Sequence, residues 1–426
     1  MDSKDSSQAI PASRETSSRR SWKQNRSIPL IVILIVGLTL RIVFVAHLLR
    51  VAPLSDFWAS GFEASNIAAS LAGGRGYSSP FGVSSGPTAW ATPAYSALVA
   101  VAYRTFGLYS LNAVRFLEAI NILSTVATSV CLYLIGIRIF GARIAWGAAL
   151  LWNVCPDSIF MTVRLWESNI SVLFVVLLTL WYVRLIQDPA KDKDWIIYGL
   201  LCAVGSLTTA SLLSLLTVPF LVLAVRRRFR GIGIVLTVIG VGMLPWTVRN
   251  YVQFGELVPL RSSFGAELWA GNHPGVSDPG DETKHPSKNR DELNAYLSLG
   301  EATYVRQRQT MAWTFIRENP HEFLRLVGRR FVSFWCSPRI LVWWWPGVCA
   351  VLAWATAGFM VWKRSIEILA PFISALLIFP ITYYLTHAES FFRYLIEPLV
   401  WLLAVAGIFC IVDWLGDVTS SRLSRA

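Results

Sequence analysis

The sequence predicts an all-α fold: a polytopic membrane helical bundle of about ten spans, with two long outer-face loops containing interfacial amphipathic helices. Three observations carry this. The 426-residue chain is 54% hydrophobic and 15% charged, where soluble domains run about 25% charged. Its mean hydropathy is +0.50. Apolar runs close to the roughly 20 residues that a helix needs to cross a bilayer recur along it. Lipid must therefore be its main solvent, and nineteen Trp and twenty-three Phe suit interfacial aromatic belts.

Residues 1–27 are polar, Ser-rich and basic and read as a disordered cytoplasmic tail. A cleaved signal peptide fits less well, because no small-residue cleavage site follows and the next apolar run is as long as a span. Spans are expected at Ile28–Leu49, Phe116–Ile137, Ala142–Met161, Ser168–Ile186, Trp195–Thr208, Ser211–Val225, Gly231–Trp246, Ile340–Trp362, Ile366–Thr386 and Phe391–Leu415. The fifth and sixth are short. With this count the basic clusters Arg138/Arg143, Arg184/Lys191/Lys193, Arg226–Arg230, Lys363/Arg364 and Arg422/Arg425 all fall on one side. By the positive-inside rule that side is the cytoplasm. The formal net charge of +12 thus points to a membrane surface and not to nucleic acid. Keeping the Arg226–Arg230 cluster inside requires the fifth and sixth segments to be two crossings or a re-entrant pair. Both termini are then cytoplasmic, with residues 416–426 as a second tail.

Two loops, about 50–115 and 249–339, lie outside and exceed the 12–15 residues or so of a plain connector. In the first, Phe62–Ala72 has apolar and small residues at helical spacing and stops at Gly73-Gly74, as C-terminal glycines should make it. Pro93–Phe106 reads as an interfacial or re-entrant helix. In the second, Tyr304, Val305, Met311, Ala312, Phe315 and Ile316 form one helix face. Asn319-Pro320-His321-Glu322 opens another helix with an N-cap, an early Pro and a capping-box Glu. The six Cys form no CxxC and the five His no HExxH, so neither a disulfide framework nor a zinc site is expected. No cofactor is predicted; a divalent metal is compatible with the sequence but not indicated by it.

Ionisable residues at membrane depth are functional suspects. Arg41 lies in the outer half of the first span, where it could also snorkel outward. Arg115 and Glu118 are three apart and Arg393 and Glu397 four apart, which also fits local helix pairing. Asp56 and Glu63, seven residues apart, would share a helix face; a carboxylate there can be a general base toward a hydroxyl or simply a solvated loop charge. The second loop brings Arg249, Arg261, Glu267, Trp269 and Asn272 to the membrane surface. Arg suits phosphate, and Trp suits a sugar ring, a lipid headgroup or plain anchoring.

One order of motifs unites these segments: Leu40-Arg41, Ala69-Ser70-Leu71-Ala72-Gly73-Gly74-Arg75-Gly76-Tyr77, Gly86-Pro87-Thr88-Ala89-Trp90, Leu165-Trp166-Glu167, Arg249-Asn250-Tyr251 and Phe392-Arg393-Tyr394. In this the chain resembles the GT-C superfamily of membrane glycosyltransferases over roughly Ile28 to Leu415. It is most similar to bacterial protein-mannosyltransferase and aminoarabinose-transferase types. The resemblance implies one transferase domain over 28–415 in a bacterial inner membrane. It implies transfer of a sugar from a polyprenyl-phosphate carrier to a lipid, glycan or protein acceptor on the outer side, with inversion and with a first-loop carboxylate as base. The family's usual Asp-Glu pair would fall on Ser60-Gly61, so the base is Asp56 or Glu63. Glu63 is favoured, because it lies on the helix leading into the Gly-rich turn. Arg261, Arg393, Arg249 and Arg41 are expected at the carrier phosphate, and Glu167, Tyr77, Trp90, Glu267, Trp269 and Asn272 at the sugar or acceptor. The competing reading is a transporter or lipid flippase of envelope polysaccharide synthesis, although no repeated halves of the transporter kind are visible. A third is a non-catalytic assembly partner.

Overall fold

Helices supply the regular structure of this chain; among the described residues there is no strand, only a single bridge between Ser78 and Pro87. The computed structural model describes residues 27–59, 61–276, 278–336, 345–363, 366–389 and 391–423. All but the last residue of the expected tail at 1–27, and the expected start of the eighth span at Ile340, lie outside them.

Among the described residues seven helices are long and apolar enough to cross a membrane, where about ten spans were expected: Ile28–Val51, Leu111–Ile139, Ser168–Gln187, Phe229–Phe254, Trp345–Trp362, Ile366–Leu385 and Phe392–Gly416. The expected third span is broken. Ala142–Val154 and Pro156–Val163 meet at 53°, because Pro156 forces Cys155 into an extended conformation at φ −62°, ψ 123° and cannot continue the hydrogen-bond ladder. Asp192–Thr208 and Ala210–Val225 are the two shorter segments. The last helix runs on to Leu423, past the expected boundary at Leu415, since helix propensity does not stop where apolarity does.

Leu111–Ile139 lies at the centre, against Ala142–Val154 and Ser168–Gln187. With the last helix they bury Leu132, Trp152, Val176, Phe372 and Leu399 in one core. Asp192–Thr208 packs on Phe229–Phe254 through small residues. A Cβ on Gly199 would stand 2.8 Å from Val238, and one on Gly242 2.8 Å from Ala203, the close backbone approach that stabilises helix pairs in lipid. The basic turns collect at one end of the bundle, tied by Arg138–Asp188 at 3.1 Å, Arg230–Asp192 at 2.5 Å and Arg226–Glu367. Both long loops fold at the other end.

There the two loops are joined by Glu301, which is buried. Its carboxylate accepts from Ala89 N at 2.6 Å, Ser262 Oγ and Tyr296 Oη at 2.7 Å, and the Thr88 hydroxyl. Two local expectations change. The capping arrangement at Asn319 is displaced: the Asn319 amide donates to Phe315 O at 3.1 Å, and Arg325 Nε holds Glu322 at 2.9 Å. Arg115 turns to Asn112 at 3.2 Å instead of Glu118, whose buried oxygens have no hydrogen-bond partner.

Candidate active site

Two glycines set the walls of a cavity at the loop end. A Cβ on Gly61 would collide with the Leu165 carbonyl oxygen, and one on Gly271 with that of Thr386. The first close approach carries the Phe62–Ala72 helix onto the segment ending at Glu167. The second carries the Phe264–Gly271 helix onto the strap containing His387. Between them lies a cavity of about 460 Å³. Five carboxylates line it, from Glu63, Glu167, Glu267, Glu282 and Glu389, together with Arg261, His285 and His387. Aromatic rings form much of the remaining wall: Trp166 against Phe391 at 4.9 Å, Tyr383 stacked on Phe392 at 4.7 Å, and Trp90.

The carboxylates are held in unlike states. Burial pushes Glu63 above the usual carboxylate range; His285 opposes the shift, and Glu267 and Glu282 reinforce it. Glu167 is also raised by burial, against the pull of Arg261. Glu267 is buried as well but falls below the ordinary range, because His387, Arg261 and His285 outweigh its desolvation. Arg261 Nη2 stands 2.9 Å from Glu267 Oε1, and Arg261 Nε donates to Ser263 Oγ at 2.8 Å. His387 is lowered by burial and its Nδ1 lies 3.7 Å from Glu267 Oε2. Glu389 is raised to about 8 by burial and by its neighbour Glu282. Neighbouring groups whose affinities for protons are pushed apart are the pattern of acid–base sites.

Glu63, Arg261, Glu167, Glu267 and Trp90 line the cavity; the other residues singled out from sequence do not. Asp56 is exposed, with Ser55 Oγ 3.3 Å from its carboxylate. Arg41 is fully buried in the bundle and donates to Gly37 O at 3.2 Å, Asn153 O at 3.3 Å and Ser158 Oγ at 3.0 Å. Arg249 clasps the first loop through Thr88 O at 2.6 Å and Tyr77 O at 2.7 Å. Arg393 is buried in an ion pair with Glu397 at 2.7 Å and also donates to Pro346 O at 3.2 Å. Arg41 and Arg393 occupy water-poor places, where the protein itself must supply their acceptors; Arg249 is half-buried. Tyr77 is fixed by Ala91 O and Thr92 O at 3.0 Å. Trp269 Nε1 reaches Glu292 at 3.4 Å, and Asn272 donates to Leu268 O and Leu385 O at 2.8 Å.

Sequence reasoning missed His285, His387, Glu282 and Glu389. They sit in irregular strap segments with no periodicity; isolated His and Glu in a long loop were the available signal. The tight contact at Gly61 leaves no room for a side chain there, and the carboxylate of that helix stands two residues further along, at Glu63. Among the described residues no group of three or more His, Cys, Asp or Glu could hold a metal ion.

Residues 90–248 match the family model described as dolichyl-phosphate-mannose-protein mannosyltransferase. That stretch contains Trp90 and Glu167 but neither Glu63 nor any of the second loop. Among curated proteins no match was found. Of solved structures, the apo oligosaccharyltransferase of Archaeoglobus fulgidus is 12% identical, with 95% of this chain and 53% of that chain covered and a TM-score of 0.56. The archaeal oligosaccharyltransferase AglB of Archaeoglobus fulgidus, in complex with an inhibitory peptide and a dolichol-phosphate, is 12% identical over 95% and 52%, with a TM-score of 0.52. ArnT from Cupriavidus metallidurans bound to undecaprenyl phosphate is 14% identical over 86% and 76%, with a TM-score of 0.38. The chain spans about half the length of the archaeal proteins, and at these identities what it shares with them is the fold.

Proposed function

We propose that this chain, which has the fold of the GT-C superfamily of membrane glycosyltransferases, moves a sugar from a polyprenyl-phosphate carrier to a lipid, glycan or protein acceptor. The observation that carries the reading is the position of Glu63: a first-loop carboxylate, raised above its ordinary range, in a cavity with Glu167 and Arg261. The dolichol-phosphate bound to the archaeal protein of like fold supports the carrier class, and the partial family match supports sugar transfer.

In this mechanism the acceptor oxygen attacks the anomeric carbon from the face opposite the phosphate. The bond from that carbon to the phosphate oxygen breaks, and configuration inverts. The acceptor proton passes to Glu63, whose raised proton affinity makes it a stronger base near neutral pH. The carrier leaves as a phosphate monoester with growing negative charge. Arg261, 41% exposed beside the cavity, is the cation placed to meet it. Glu167 and the Trp166, Tyr383 and Phe392 rings hold sugar hydroxyls and ring faces. The cavity lies on the non-cytoplasmic side of a bacterial inner membrane, with both termini inside.

Purified protein in lipid nanodiscs is given polyprenyl-phosphate sugars together with a membrane extract as the source of acceptor, and release of polyprenyl phosphate is followed by mass spectrometry, with lipid extracts of a deletion strain examined in parallel. Turnover of one such donor and accumulation of the corresponding carrier-linked sugar are expected. Absence of both across hexosyl and pentosyl donors would sink the assignment.

A further inference from the structure

Resting on the assignment of Glu63 as base, we infer that His285 is its positioning residue: a neutral imidazole whose Nε2–H holds Glu63 Oε1 and leaves Oε2 to receive the acceptor's proton. The tautomer follows from the strap. The Ser287 backbone N–H donates to His285 Nδ1 at 3.2 Å, and Ser287 Oγ lies 2.6 Å from the same atom. A peptide N–H can only donate, so Nδ1 carries the lone pair and the neutral ring's proton is on Nε2. That nitrogen stands 3.9 Å from Glu63 Oε1.

The ring cannot easily turn away. It is edge-on to Phe81 at 5.8 Å and to Trp90 at 5.5 Å, with 11% of its side chain exposed. Its strap is tight: His285 N bonds Glu282 O at 2.8 Å, Lys288 N and Asn289 N bond His285 O at 2.9 Å, and Asn289 Nδ2 bonds Thr283 O at 2.9 Å. The gap to Glu63 is too wide for a hydrogen bond and too narrow for a bridging water. A closure of about 1 Å makes the bond; catalytic contacts commonly tighten this way when substrate binds.

The charged surroundings of Glu63 give this donor its effect. Glu267 on the Phe264–Gly271 helix, Glu282 on the strap and Glu167 before the Ser168–Gln187 helix are all carboxylates that disfavour its ionisation. The Nε2–H of His285 is the donor aimed at Glu63 Oε1 from the opposite wall. Because Nε2 already carries its proton, His285 does not abstract one: the acceptor proton ends on Glu63, and the imidazole stays neutral throughout.

Infrared difference titration of wild type against Glu63→Gln isolates the Glu63 carboxyl band without any substrate. In a His285→Leu background its midpoint should rise by about one pH unit, and His285→Gln, which keeps an N–H donor, should bring it back toward wild type. With the polyprenyl-phosphate sugar that the wild type turns over as donor, His285→Leu should lower kcat about 10- to 100-fold at little change in KM, and move the acid limb of the pH profile upward. An unmoved Glu63 midpoint in His285→Leu overturns the proposal. Nitrogen-15 NMR of histidine-labelled wild type gives a reading independent of any variant: a proton on Nδ1 also overturns it. Full turnover by Glu63→Gln alongside a shifted Glu63 band would instead remove the base assignment while leaving the His285–Glu63 contact standing.

Discussion

At the end carrying the short turns, Arg138–Asp188, Arg143–Asp413, Arg226–Glu367 and Arg230–Asp192 pair one to one, with between 35% and 81% of each side chain exposed. At the loop end, five glutamates share one cavity with a single arginine and two histidines among the lining residues. The residue types are alike and the physics differs. Exposed pairs gain little, because water screens them. Crowded, partly desolvated carboxylates raise one another's proton affinity and cost stability. The four arginines expected at the carrier make the same contrast within one residue type: Arg261 faces the cavity, whereas Arg41, Arg249 and Arg393 are consumed by backbone carbonyls and by Glu397.

The comparison breaks most sharply at Glu63. Glu63→Gln should reduce turnover by about 10²–10⁴-fold, the worth of a general base, while Asp56→Asn should stay within about twofold of wild type. Equal losses in a nanodisc turnover assay would return the exposed Asp56 to consideration. Next comes Arg393→Ala, which removes the buried guanidinium that Glu397 faces. It should cost about 3–5 kcal/mol of stability, read as a fall in Tm in detergent. Arg261→Ala, by contrast, should keep the wild-type Tm and lose about 10²–10³-fold in turnover. If Arg393→Ala remains folded and loses only carrier turnover, the division between the two arginines fails.

A smaller effect concerns pH. Glu389 rises from an ordinary 4.5 to about 8 in the fold. Between those values the folded state binds more protons than the unfolded one, so stability falls as pH rises. The contribution is fully present below 4.5 and is lost as pH passes through about 8. Glu63 and Glu167, raised in the same direction, add to the slope. Tm measured from pH 5 to 9 should decline, and less steeply in Glu389→Gln; parallel slopes would show that the strap is not the source. The smallest effect is expected at the opposite end, where Arg230→Ala should change stability by less than about 1 kcal/mol and leave turnover intact.

The all-α membrane bundle and the two long loops were legible because they follow from hydropathy, which any sequence displays; the number of spans was not, since about ten were expected and seven of the described helices are long and apolar enough to cross. Glu63 was legible for a local reason, its place on the helix before the Gly-rich turn. Pro156 was legible in principle, since a proline after an extended residue breaks a span wherever it occurs. The Arg393–Glu397 pair was written in the four-residue spacing. The buried Glu301 junction and the His285 strap were not, because their partners lie far off in the chain: Glu301 meets Thr88 across 213 residues.

What the amino-acid sequence determined alone is the medium and the architecture: an apolar helical bundle with its long polar segments on one side, because the free energy of burying apolar surface in lipid is a sum over local composition. What only the tertiary structure decided is which charges face one another. Burial and a few ångströms of approach at Gly61 and Gly271 turn one glutamate into a raised, base-like carboxyl and another into an anion held by Arg261 and His387. Electrostatic energy depends on distance and local dielectric, and neither is a property of the chain until it folds.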